Sequence, residues 1–143
     1  NNPLSSDPDD ALVPWPERCT GWRLWKMLEE VAGATPEQYV AAFDRRNLVS
    51  GRGWSAAAGR EAAPTVLKEL AGRTVLVLGA ATIECLKLER HGPGWYAPGP
   101  RGVSYGWLPH PSGRCPWYND PANRRLASMV LASLYQGYLE EAA

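Results

Sequence analysis

The sequence predicts an α/β sandwich around a short parallel sheet. Three observations carry that prediction. Segments of helical and of strand character alternate along most of the chain. Thr74–Leu78 is an unbroken run of β-branched and aliphatic residues, the composition of a strand buried on both faces, as in a parallel sheet. Thr35, Ser55 and Asp120 stand where helix caps are needed, two of them directly before proline and the third before alanine.

Residues 1–20 read as loop, from Asn1-Asn2-Pro3 through Pro14-Trp15-Pro16. Trp22–Val31 has helical period, with Trp22, Trp25, Leu28 and Val31 on its apolar face, and Gly33 ends it. Thr35-Pro36-Glu37-Gln38 is a capping box with proline at the first helical position, so a helix runs from Pro36 to about Phe43, with Tyr39, Val40 and Phe43 inward. Asn47-Leu48-Val49 reads as a short strand or strand end, and Gly51-Arg52-Gly53 as a turn. Ser55 caps a helix from Ala56 that Pro64 kinks or restarts on the way to about Ala71. After strand Thr74–Leu78 and Gly79, a helix is expected from Ala80 to about Leu88. Residues 89–102 are rich in Gly and Pro and read as a long loop. Val103–Leu108 is a second core strand, residues 109–120 a loop, and Pro121 to about Glu140 the last helix, with Leu126, Val130, Leu134 and Tyr138 on one face. No internal repeat is visible, and a single domain spanning 1–143 is expected.

Composition excludes several classes. The 143 residues carry 15 Lys+Arg against 15 Asp+Glu, which argues against a basic nucleic-acid tail or a disordered polyelectrolyte. No stretch approaches the roughly 18 apolar residues that a membrane-spanning helix needs, so no membrane partner is expected. The chain opens without an initiator Met or a recognisable signal peptide, which reads as a fragment or a processed form. Cys19, Cys85 and Cys115 are odd in number and far apart, so reduced, mostly buried thiols in a cytoplasmic compartment are expected rather than a disulfide framework. With only His91 and His110 besides, neither a histidine-rich metal site nor a four-thiolate cluster can form, and no cofactor is expected.

Ligands of parallel α/β sheets bind at the carboxyl ends of the strands, here near Asn47, Gly79 and His110. The most informative stretch is Leu108-Pro109-His110-Pro111-Ser112-Gly113-Arg114. It puts an imidazole just past a core strand between two residues of fixed φ, followed by a small flexible tip. On its own this is equally a rigid turn with a structural histidine. Ser112 lacks the Gly-x-Ser-x-Gly setting of a hydrolase elbow, and Gly51-Arg52-Gly53 lacks the Lys-Ser/Thr of a phosphate loop.

His110-Pro111-Ser112 after an apolar strand resembles the second motif of the uracil-DNA glycosylase superfamily. Asn2-Pro3 is similar to the end of that superfamily's first motif. Asn47-Leu48 is similar to its base-reading asparagine at a strand end, and Val75-Leu76-Val77-Leu78-Gly79 to its third core strand. The four matches occur in the family's order over most of the chain. The resemblance implies a three-layer sandwich of uracil-DNA glycosylase type and the excision of uracil or a modified pyrimidine from DNA. The iron–sulfur branch is excluded by the cysteine count, and the Asp-Pro-Tyr-His form is absent. The family's stacking phenylalanine has no clear counterpart, and Trp15 or Trp22 stands in for it.

The resemblance gives each residue a role that its chemistry allows. His110 donates to the base oxygen on which charge develops. Asn2 positions water, and as an amide it is no strong general base, so a slower enzyme than an aspartate one is expected. The Asn47 amide offers both a donor and an acceptor to a base edge, and Trp15 offers a stacking face. Gly113, Arg114 and Cys115 are the wedge candidates for entering DNA, Ser112 is a DNA contact beside them, and Arg45, Arg46 and Arg52 lie near the mouth, where with Arg114 they meet phosphates. Plainer roles remain open: Asn2 as a turn residue, Asn47 as a strand-end cap, Arg114 as a surface charge, and Trp117 and Tyr118 as packing. Two other functions also remain: binding or processing of a nucleobase, nucleoside or hypermodified base without repair, and a non-catalytic module with a protein partner.

Overall fold

The computed structural model describes residues 7–49 and 53–143. The protein is mixed α/β. In chain order the described elements are α1 (Thr20–Ala32), α2 (Pro36–Ala42), α3 (Ala56–Glu69), β1 (Thr74–Leu78), α4 (Ala80–Cys85), β2 (Ala97–Pro98), β3 (Ser104–Leu108) and α5 (Pro121–Ala142), with short 3-10 turns at Pro8–Asp10, Pro100–Gly102 and Pro116–Asn119. The chain divides into two compact units, Asn1–Asp10 with Asn47–His110 and Ala11–Arg46 with Pro111–Ala143.

The first unit holds the sheet, in the order β1-β3-β2. β1 and β3 are parallel, paired from Thr74↔Ser104 to Leu78↔Leu108. β2 is antiparallel to β3, with Ala97 opposite Tyr105. The sheet is therefore mixed, where the sequence predicted a parallel one. The reason is the length of the link. A parallel partner needs a crossover of about a dozen residues or more, whereas the short link between β2 and β3 closes as a hairpin. Gly99 N–H donates to Val103 O (2.7 Å) and Val103 N–H to Pro100 O (3.2 Å) to seal it. The strand expected at Asn47-Leu48-Val49 does not form: these residues are irregular, and Leu48 packs on the core of this unit instead.

Side-chain alternation along β3 builds that core. Tyr105 and Trp107 join Ala63 and Val66 of α3, Val77 of β1, and Ile83 and Leu86 in one buried cluster. Their polar atoms are satisfied: the Tyr105 hydroxyl donates to Glu89 O and the Trp107 indole to His91 O, both at 2.6 Å. On the other face of β3 the Tyr96 ring lies over Gly106, where a Cβ would approach to 3.0 Å. β1 is less buried than its composition suggests. Only Val77 is fully buried and Thr74 is exposed, because β1 stands at the edge of the described sheet. α3 is one helix through Pro64, capped by Ser55, whose hydroxyl accepts from Ala58 N–H. Pro64 is exposed, so its ring meets solvent. α4 stops at Cys85, short of the expected Leu88, with Lys87 already at positive φ.

The second unit is helical, with α1 packed along α5 and α2 against both. The capping box at α2 forms as the sequence requires: Thr35 Oγ1 accepts from Gln38 N–H and Gln38 Oε1 from Thr35 N–H. Two helix faces are rotated from the expected ones. α1 buries Gly21, Leu24, Met27 and Leu28, while Val31 turns outward, 52% exposed. α5 buries Ala127, Ser128, Val130, Leu131 and Tyr135, while Leu126 and Tyr138 stay exposed. Small residues carry much of the buried α5 face, and Ser128 satisfies its hydroxyl on Arg124 O within the helix. A rule that follows large apolar side chains therefore finds Leu28 and Val130 but misses the small buried residues beside them.

The segment preceding α1 is anchored by side chains that take three successive carbonyls. Arg45 donates to Ala11 O (2.5 Å), the Tyr39 hydroxyl to Leu12 O (2.8 Å) and the Cys19 thiol to Val13 O (3.4 Å). Burial raises the Tyr39 phenol well above its ordinary value, which keeps it a donor. No helix among the described residues is long and apolar enough to cross a membrane.

Candidate functional site

The parallel pairing brings the carboxyl ends of β1 and β3 side by side. Gly79 N–H donates to Leu108 O at 2.8 Å, closing the ladder at this end. Gly79 has φ 94°, a conformation that side chains rarely adopt, and it carries the chain directly into α4. His110 lies over it. A Cβ on Gly79 would stand 3.4 Å from His110 Cβ and 3.9 Å from Cδ2. Pro109 and Pro111 flank the histidine, and Pro111 is fully buried, so the backbone on either side of the imidazole is fixed.

His110 is exposed at the surface of its unit, and the partial burial of its ring holds its pKa below the ordinary imidazole value. A neutral imidazole can donate one hydrogen bond while accepting another. A His91→Asn variant leaves a single histidine, whose NMR titration midpoint is expected below the ordinary value of 6.5. The sign for stability follows. The unfolded chain takes the proton first, so the contribution of a neutral His110 is full above 6.5 and is lost as pH falls through the depressed native value. A midpoint at or above 6.5 would contradict the desolvated setting.

Asn47 is half-buried in the same unit as His110. The other described residues with expected roles belong to the second unit. Trp15 is 53% exposed. Ser112 is half-buried, and Gly113, Arg114 and Arg46 are exposed. Arg45 is half-buried and tied to Ala11 O, which gives it a structural task besides any contact with phosphate. Asn2 and Arg52 lie outside the described residues. The three cysteines are free thiols, Cys85 buried and the other two half-buried. Among the described residues no three His, Cys, Asp or Glu side chains come together as a metal cluster.

Sequence reasoning missed a second feature. In the second unit, Arg23, Met27, Pro111, Ser112, Tyr118 and Arg124 enclose a cavity of about 30 Å³. Helix α1 supplies Arg23 and Met27, α5 supplies Arg124, and the segment after His110 supplies Pro111, Ser112 and Tyr118. No local spacing links positions so far apart, so only the tertiary fold discloses the cluster. A larger, open depression of about 320 Å³ follows the β2–β3 hairpin at the amino end of β3, away from His110, and apart from the Tyr96 hydroxyl its lining residues bring no ionisable group to it. No protein-family model, curated protein or solved structure matches this chain.

Proposed function

We propose that the protein is a uracil-DNA glycosylase-like hydrolase that flips uracil or a modified pyrimidine out of DNA and cleaves its N-glycosidic bond, within a three-layer fold of that type. The observation that supports the reading most is His110 itself. It stands between two prolines at the carboxyl end of a strand paired in parallel with β1, against Gly79.

In the reaction the C1′–N1 bond breaks, water oxygen bonds to C1′, and the base leaves with the electron pair and then takes the proton that water releases. His110 donates a hydrogen bond to the base oxygen as negative charge develops there. Asn2 positions the water, Asn47 reads the base edge and Trp15 offers a stacking face. Gly113, Arg114 and Cys115 enter the duplex behind the flipped base, Ser112 contacts the DNA beside them, and Arg45, Arg46 and Arg52 face phosphates. Zero net charge makes nonspecific DNA affinity weak and salt-sensitive, since that affinity grows with the number of phosphates neutralised.

The test is a panel of duplex oligonucleotides, each carrying one uracil or modified pyrimidine. After incubation and alkali, strand breaks are expected at the position of at least one such base. No break across the panel with folded protein would end this reading. The charge balance favours one alternative, recognition of a nucleobase or nucleoside without excision, and a thermal upshift by free nucleosides without cleavage would favour it.

A further inference from the structure

We infer that the small cavity of the second unit is a binding site for a phosphate group. Two guanidinium side chains, Arg23 and Arg124, line it together with Ser112 and Tyr118, over a floor made by Met27 and Pro111. Both floor residues are fully buried, so the cavity has a fixed apolar base beneath its partly exposed charges. Arg23 has no carboxylate partner among the described residues. Its Nε donates to Arg18 O at 3.2 Å, which fixes the plane of the guanidinium and leaves both terminal nitrogens available. The opposing charge is Glu30, whose Oε1 takes Arg124 Nη2 at 2.6 Å and orients that guanidinium without occupying all its donors. Tyr118 is kept protonated by burial and hence remains a neutral phenol. The lining thus combines two permanent cations with the Ser112 hydroxyl, a donor set that matches a tetrahedral oxyanion.

Size selects the ligand class. A cavity of about 30 Å³ holds roughly two waters, so it seats one or two oxygens of a phosphate and not a heterocyclic ring. Gly113 is part of the construction. A Cβ there would stand 2.8 Å from Arg23 Nη2, so any larger residue pushes the guanidinium away from the loop. The phosphate can arrive as the free ion, as the end of a nucleic-acid strand or within its backbone. The inference does not depend on base excision, because the first probe carries no base.

The experiment is calorimetric titration of the full chain with inorganic phosphate, then with short oligodeoxynucleotides bearing a 5′-phosphate or a 5′-hydroxyl. Saturable phosphate binding is expected, weakened about tenfold or more in Arg23→Gln, the loss of one charge-assisted hydrogen bond. Gly113→Ala, which displaces only the flexible end of Arg23, is expected to weaken it in the same direction with native melting. An advantage of the 5′-phosphorylated strand that disappears in Arg23→Gln identifies a terminal phosphate. Equal binding of both strands, lost in the same variant, identifies the backbone. No saturable binding by the wild type in the millimolar range, or binding unchanged in both variants, overturns the inference. Loss of base excision with phosphate binding intact would refute the glycosylase reading alone.

Discussion

His110→Ala is expected to lower the single-turnover excision rate on the best oligonucleotide of the panel by about 100- to 1,000-fold, the effect of removing one donor aimed at developing charge. The histidine sits at a solvent-open strand end, so its removal leaves the buried core of its unit untouched, and the variant is expected to melt as the wild type does. Rate and stability therefore separate cleanly. His110→Gln retains an N–H but on a longer, freely rotating side chain, and is expected to recover only part of the loss. A His110→Ala rate equal to the wild type would remove this residue from the reaction. Gly79→Val approaches the same question from beneath. Its branched side chain would crowd the imidazole from a backbone position already at φ 94°, so a loss of rate is expected there as well.

Gly21→Ala is expected to destabilise the protein by about 3 kcal/mol, lowering its melting temperature by roughly 10 °C. A Cβ at this position would stand 2.1 Å from Val13 O and 2.3 Å from Leu12 O. Both neighbours are backbone, and both carbonyls are held, by the Cys19 thiol and the Tyr39 hydroxyl. The segment cannot yield without giving up these bonds, each contributing about 1 kcal/mol, in addition to the overpacking itself. Gly137→Ala is the control. It lies within α5, and a Cβ there meets nothing within 4 Å, so helix propensity makes it neutral or stabilising by up to about 1 kcal/mol. Thermal melts of the two variants side by side decide the matter. Equal melting temperatures would mean that the anchored segment is free to move.

The elements that were legible in the sequence are those set by local chemistry. Thr35, Ser55 and Asp120 each cap the helix expected of them, because a side-chain oxygen two or three residues before a free N–H is a short-range interaction. β1 and β3 were legible from their apolar runs, and with them the place of His110. β2 was not, because Pro98 within a Gly- and Pro-rich stretch reads as a breaker and is tolerated only at a sheet edge. The buried stripes of α1 and α5 were misread because size, rather than contact, ranked Trp22 and Val31 above Gly21, and Leu126 above Ala127. The arginine-lined cavity was illegible for another reason: Arg23 and Arg124 come from opposite ends of the chain.

The hairpin link between β2 and β3 has a consequence in time. Antiparallel pairing of Ala97 with Tyr105 closes across a few residues, a microsecond event for a free chain. Parallel pairing of β1 with β3 must instead bring together strands separated by all of residues 79–103, and loop closure makes such long-range contacts slow. β3 therefore acquires its first neighbour early and its second late. Only the late step puts Gly79 beneath His110, so the imidazole reaches its setting when the chain is nearly native, and a nascent or partly folded chain presents the His-Pro-Ser loop without the site.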